Sequence, residues 1–221
     1  NSMMLKSYAQ EERLQRLIQM VKYWASRRGI NNAFDGTLSS YAWTLLSIQH
    51  AQLVQPPLAP NRQQGAEANP ITFKGTTYDV GYNDEHYATE NNQSLASLLI
   101  SFFERFATRW DWENMVVSVR SGEALLTKAK KWKHTGPLPL EVVTGADDGW
   151  MEHVMPIEDP FNHEHDLSRV VRAEGAMTIQ NEFMRIIELL SNGYSWKDIC
   201  EPVMDIEEEP SDLFHDLRNT S

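Results

Sequence analysis

The residues best placed to do chemistry lie in a few short runs. One is Gly36-Thr37-Leu38-Ser39-Ser40-Tyr41. It opens a helix expected over 38–54, with Thr37 or Ser39 as cap and Pro56 and Pro57 beyond its end. Free N–H groups at a helix start attract anions, and serine hydroxyls add donors. Phosphate recognition fits there, and so does plain capping. Lys22 lies on the preceding helix, where it can meet the same phosphates or stay a solvated lysine. The Tyr41 ring suits either a base-stacking platform or a core.

A second run, 157–166, reads IEDPFNHEHD. Histidine and carboxylate are metal-ligand types, but this spacing matches no zinc pattern, and no helix-borne H-E-x-x-H occurs. A hydrogen-bonded cluster is the better expectation, with Asp166 capping the next helix. A third run places Lys128, Lys130, Lys131 and Lys133 around Trp132. Lysines interleaved with an aromatic suit phosphates and bases, although a solvated basic face has the same composition. Cys200 has no basic sequence neighbour to activate it, and G-x-S-x-G and P-loop patterns are absent. No metal site and no catalytic nucleophile are therefore expected in this chain.

These residues need elements to hold them. Leu14, Leu17, Ile18, Val21 and Ala25 paint one face of a helix over 11–28, stopped by Gly29. Leu95, Leu98, Leu99, Phe102, Phe103 and Phe106 mark another, capped by Asn92 or Ser94. Ile179, Phe183, Ile186, Ile187 and Leu190 mark a third over 166–191, with Gly193 past its end. Residues 55–92 are rich in Pro, Gly, Asn and Gln and read as an irregular insertion, with one short strand near 78–81. Strands are expected at 116–120 and 155–157. The fold class is thus mainly α, formally α+β, with a small β element in the last third.

Composition narrows the class. A hydrophobic share of 41% supports a real core. No apolar run reaches the ~18 residues of a membrane span, so no membrane partner is expected. The single cysteine excludes an intrachain disulfide and fits a reducing compartment, cytoplasm or mitochondrial matrix. The net charge of −11 argues against a uniformly basic nucleic-acid binder. The charge is uneven, however: residues 197–221 carry eight acidic side chains against two basic ones. Two parts are expected, a helical domain over 1–195 and an acidic tail over 196–221.

The order of the motifs carries more than each motif alone. VKYWASRRGINNAFDGTLSSYAWTLL (21–46) resembles the signature of the noncanonical poly(A) polymerase and terminal uridylyltransferase family. IEDPFNHEHDLSRVV (157–171) resembles that family's PAP-associated motif. The segments 91–107 and 116–132 also look like family segments, and NSMMLKSY (1–8) resembles the stretch after the third catalytic strand. The resemblance covers roughly residues 1–190.

It implies a nucleotide-recognition domain of the poly(A) polymerase type. Asn1 and Ser2 would hold the ribose and base edge, Lys22 and Ser40 the triphosphate. Tyr41 would stack on the base, and Asp159 and His165 would read its edge. A histidine at the place of His165 goes with UTP. Ser26 stands where the family often has a second lysine, for which Arg27 would substitute, although it points about 100° away around the helix. Asn162 stands where many uridylyl members are acidic. The family's chemistry uses a Gly-Ser loop and three carboxylates on a β-sheet holding two divalent ions, Mg2+ or Mn2+. Nothing here matches that loop or a D-x-D pair. The implied catalytic subdomain is therefore expected outside this chain, upstream of it. The implied function is addition of uridylates from UTP to an RNA 3′ end. An ATP-using adenylyltransferase and a non-catalytic RNA- or protein-binding module are the alternatives.

Overall fold

A computed structural model describes residues 2–8, 10–121 and 153–203. It is mainly helical, with a small two-stranded sheet. The helices are α1 (Ser2–Tyr8), α2 (Glu12–Arg27), α3 (Ser40–Leu53), α4 (Leu95–Glu104), α5 (Ala173–Ser191) and α6 (Trp196–Ile199). Ser39 is the N-cap of α3, its hydroxyl accepting from the Ala42 N–H. Ser94 does the same for α4 through the Ser97 N–H.

The apolar faces read from the sequence meet in one aromatic core. Phe183 of α5 lies against Trp24 of α2 at 5.6 Å and Trp43 of α3 at 5.9 Å between ring centroids. It also touches Phe102, Phe103 and Phe106. Helix α4 ends in one wider π turn, Arg105–Arg109, closed by the Trp110 N–H on the Arg105 carbonyl.

Helix α3 runs through the middle and is buried on every side from Leu45 to Gln52. Its polar side chains therefore need internal partners. Ser47 donates to the Trp43 carbonyl, and Gln52 reaches Tyr8, Pro60 and Val119. Arg105 donates to His50 Nδ1, so the ring proton sits on Nε2, facing Ser101.

Three expectations are corrected. The regular sheet lies in the insertion at 55–92, not in the last third: β1 (Pro70–Phe73) pairs antiparallel with β2 (Thr76–Asp79). Lys74 and Gly75 both have positive φ, which makes the mirror-image turn that tight hairpins favour. The strands expected at 116–120 and 155–157 reduce to one parallel bridge, Val117 with Ile157. The chain turns straight after it, because Ser118 Oγ takes the Ser121 N–H and both Ser118 and Arg120 bind Glu158. Helix α5 starts at Ala173 rather than 166, and Asp166 caps nothing: its carboxylate is used by Ile157, Ser168 and His153.

Helix α6 lies beyond residue 195, yet it packs on the body. Trp196 meets Phe103, and Arg185 donates to the Ile199 carbonyl. The acidic stretch from 204 onward is outside the described residues. Among the described residues no helix is long and apolar enough to cross a membrane.

Two predictions follow from packing and charge. A Cβ on Gly175 would come within 2.0 Å of the Gly36 carbonyl oxygen. Gly175→Ala should therefore push α5 off the Gly36 loop and cost roughly 1–3 kcal/mol in urea unfolding. Burial, helped by the Arg105 charge, lowers His50 from 6.5 to about 3. Between those values the unfolded chain binds the extra proton and the fold does not. Stability present above pH 6.5 should thus be lost as pH falls, by up to about 1.4 kcal/mol per pH unit from this ring. His50→Gln should flatten the slope between pH of about 6.5 and 5.5, measured by denaturant titration.

Candidate nucleotide-recognition site

Two segments frame the site. The first is the start of α3. Gly29 and Gly36, both with positive φ, bracket the short link from α2. Trp43 Nε1 donates to the Ile30 carbonyl at 3.1 Å, pinning that link to the core. Ser39 satisfies the Ala42 N–H, and the N–H groups of Ser40 and Tyr41 are left without intrahelical acceptors. The Ser40 hydroxyl is exposed and exchanges hydrogen bonds with the Asn31 amide at 2.9 and 3.0 Å. Lys22 is half-buried on α2, which packs beside α3. It makes no ion pair among the described residues.

The second segment is the turn over 157–168, framed by two buried carboxylates. Glu158 accepts from Ser118 and pairs with Arg120 at 2.9 Å. Asp166 accepts the Ile157 and Ser168 N–H groups and meets His153 at 2.6 Å. Between them Asp159 Oδ1 accepts the Phe161 N–H at 2.8 Å and the Asn162 N–H at 3.3 Å. The Asp159 N–H donates to the His165 carbonyl, and the His165 N–H to that of Asn162. The tight turn leaves the second Asp159 carboxylate oxygen without a hydrogen bond among the described residues.

The two segments meet at Tyr41. Burial raises its phenol well above the ordinary range, and the nearby Asp159 carboxylate raises it further. Its hydroxyl is buried without a hydrogen-bond partner among the described residues. Such a group costs roughly 1–3 kcal/mol until something satisfies it. The structure thus brings Tyr41 to Asp159 and keeps Ser40 and His165 on the same two segments. Ser2 opens α1, whereas Asn1 lies outside the described residues. Lys128, Lys130, Lys131 and Lys133 also lie outside them.

Two residues were not singled out in the sequence. Arg169 places Nη1 3.2 Å from His165 Nδ1. A guanidinium only donates, so Nδ1 accepts and the His165 proton sits on Nε2. Asn31 steadies Ser40. Neither signals itself locally: one is an arginine in a turn, the other an asparagine in a loop. Arg27, the suggested substitute for the second lysine, donates through Nε to the Cys200 carbonyl at 3.3 Å. Cys200 does have basic neighbours in space, Arg185, Arg27 and Arg28, yet burial outweighs them and pushes its thiol up to about 11.

A space of about 1060 Å³ between Gly36 and α5 is lined by Thr37 and Arg169, which lie near Ser40 and His165 in the chain. Among the described residues no group of three or more His, Cys, Asp or Glu side chains could hold a metal ion.

Comparison with known proteins finds relatives among RNA terminal nucleotidyltransferases. Residues 94–165 match the family described as Cid1 family poly A polymerase. The chain is 32% identical to the terminal uridylyltransferase cid1 of Schizosaccharomyces pombe over 199 residues, 87% of this chain and 48% of that protein. It is 28% identical to the poly(A) RNA polymerase cid13 of the same organism over 207 residues, 90% of this chain and 33% of that one. The solved structure of Cid1 in complex with the UTP analog UMPNPP superposes with a TM-score of 0.77 at 29% identity, covering 92% of this chain and 60% of that one. These likenesses support the noncanonical poly(A) polymerase and terminal uridylyltransferase family. It spans about half or less of the length of these two curated relatives.

The Arg169 contact is testable without activity. In Arg169→Met the His165 ring should populate both neutral tautomers, whereas the native chain should show mainly the Nε2–H form by nitrogen NMR. An unchanged ring in the variant would remove Arg169 from this role.

Proposed function

We propose that this chain is the nucleotide-recognition part of an RNA 3′-terminal uridylyltransferase that adds uridylates from UTP without a template. The observation carrying this reading is the buried Tyr41 phenol lying within the field of the Asp159 carboxylate, with His165 in the same turn as Asp159. Lys22, the Ser40 hydroxyl and the free N–H groups of α3 would take the triphosphate. Ser2, with Asn1 before it, would reach the ribose and base edge. Tyr41 would stack on the base, and stacking tolerates every base. The edge contacts would therefore choose. The Asp159 carboxylate suits the N3–H of uracil, and His165 Nε2–H suits a uracil carbonyl. Adenine would set its amino donor against that same N–H.

Divalent-ion chemistry belongs to the family's catalytic sheet, and the described residues do not fit a metal site. We assign that chemistry, with Mg2+ or Mn2+, to a catalytic subdomain outside this chain. An RNA 3′ end is the proposed acceptor, in the cytoplasm or mitochondrion. Lys128, Lys130, Lys131 and Lys133 are proposed to touch it.

In the intact enzyme Tyr41→Ala should raise the KM for UTP about tenfold, in line with the stacking worth of one base. His165→Asn should reduce the preference for UTP over ATP about tenfold. Equal use of both nucleotides by the native enzyme would favour the poly(A) polymerase reading, which the likeness to cid13 keeps in play. Lack of a Gly-Ser loop and D-x-D pair in the native upstream sequence would favour a non-catalytic module.

A further inference from the structure

A second polar cavity lies at the same turn and is assigned no role by the reading above. Its volume is about 380 Å³, and Gln63, Asp79, Arg120, Ser121 and His163 are among its lining. Three of these present buried polar atoms without a hydrogen-bond partner among the described residues: Gln63 Oε1, Arg120 Nε and His163 Nε2. Two of them are held in place. Gln63 Nε2 donates to the Pro160 carbonyl at 2.8 Å, and Arg120 Nη2 is held by buried Glu158. The Asp79 N–H donates to the Phe161 carbonyl, so the insertion grips the turn from this side.

The lining selects a class of ligand. The Asn69 and Gly81 N–H groups hold the Asp79 carboxyl below the usual range, so it is charged at neutral pH. Its charge opposes an anion, while the Arg120 guanidinium opposes a cation. A neutral ligand with both donors and acceptors remains. Arg120 Nε can only donate and Gln63 Oε1 can only accept. The space far exceeds the ~30 Å³ share of one water and falls in the range of small-ligand pockets. A heterocycle with a carbonyl beside a ring N–H satisfies both atoms. Uracil and guanine have that edge; adenine lacks the carbonyl, and neutral cytosine lacks the ring N–H.

We propose that this cavity takes one keto base, uracil or guanine, of the RNA substrate, bound by Arg120, Gln63 and His163. The choice of RNA as its source rests on the function proposed above. The site is separate from the Tyr41–Asp159 face but built on the same turn, so the strand being extended would be held close to the incoming nucleotide.

The test is titration of the 221-residue chain with uridine, guanosine and adenosine, following the His163 ring by NMR, assigned by its loss in His163→Phe. Uridine and guanosine should shift that ring saturably, and adenosine should not. His163→Phe should weaken binding of an oligouridylate about tenfold and leave UTP affinity unchanged. Arg120→Lys keeps a cation for Glu158 but loses the Nε donor, and should weaken the oligonucleotide likewise. No shift with any nucleoside would mean that water alone fills the cavity and would overturn the proposal. So would equal shifts with adenosine, or oligouridylate binding unchanged in both variants. Nucleoside binding without oligonucleotide binding would keep the base pocket and discard RNA as its source.

Discussion

Phe183 is the side chain on which the helices converge. It contacts Trp24 and Trp43 on one side and Phe102, Phe103 and Phe106 on the other. Aromatic rings bury large areas and prefer offset or edge contacts, so such a cluster fixes angles as well as proximity. Through Trp43 the constraint reaches the site. The indole that packs on Phe183 also holds the Ile30 carbonyl, and Ile30 lies in the link leading to the start of α3. The packing of Gly175 on Gly36 closes the same link from the side of α5. The direction of the free N–H groups at Ser40 and Tyr41 is thus set by core packing rather than by the motif that contains them.

The other half of the site depends on electrostatics. Glu158 and Asp166 are both buried, and each is satisfied by hydroxyl, N–H or cationic partners. Buried carboxylates without such partners would not stay charged. With them, they become anchors between which the short turn must fit. Asp159 is then the one carboxylate of the three that keeps an oxygen for a ligand. The ion pair of Arg28 with Glu182, at 2.8 Å, does comparable work at the far end of α2. There burial raises Glu182, but the Arg28 and Arg185 guanidiniums outweigh it and leave it lowered. That network also commits this end of α2 to the docked α6 through Arg27, Arg28 and Arg185.

The insertion at 55–92 turns out to be connective. Arg62 is buried and donates to the carbonyls of Ser7, Asn83 and Glu85. It joins α1 to the insertion, while Gln63 and the Asp79 N–H join the insertion to the 159–165 turn. The hairpin that follows exposes all of β1, while β2 is mostly half-buried, with Tyr78 against the core and the Asp79 N–H on the Phe161 carbonyl. A stretch with no sustained period can therefore be well ordered, because backbone carbonyls serve as its long-range partners.

Much of this protein was determined locally. Apolar spacing marked α2, α4 and α5 because one face of each must be buried, and the Ser39 and Ser94 caps are readable because a hydroxyl reaches only its own helix start. The two motifs, taken in order, marked Tyr41, Asp159 and His165 as the residues to watch. Tertiary structure decided the rest. Asp166 looked like a helix cap, yet distant His153 and the Ile157 N–H claim it, so α5 begins later. The strand expected at 116–120 ends after one bridge because Glu158 draws Ser118 and Arg120 into a turn. Arg27 is taken by Cys200, Arg169 chooses the His165 tautomer, and Gln63, Arg120 and His163 share one cavity. Most of these outcomes join groups far apart in the chain, and no local pattern records which contact forms.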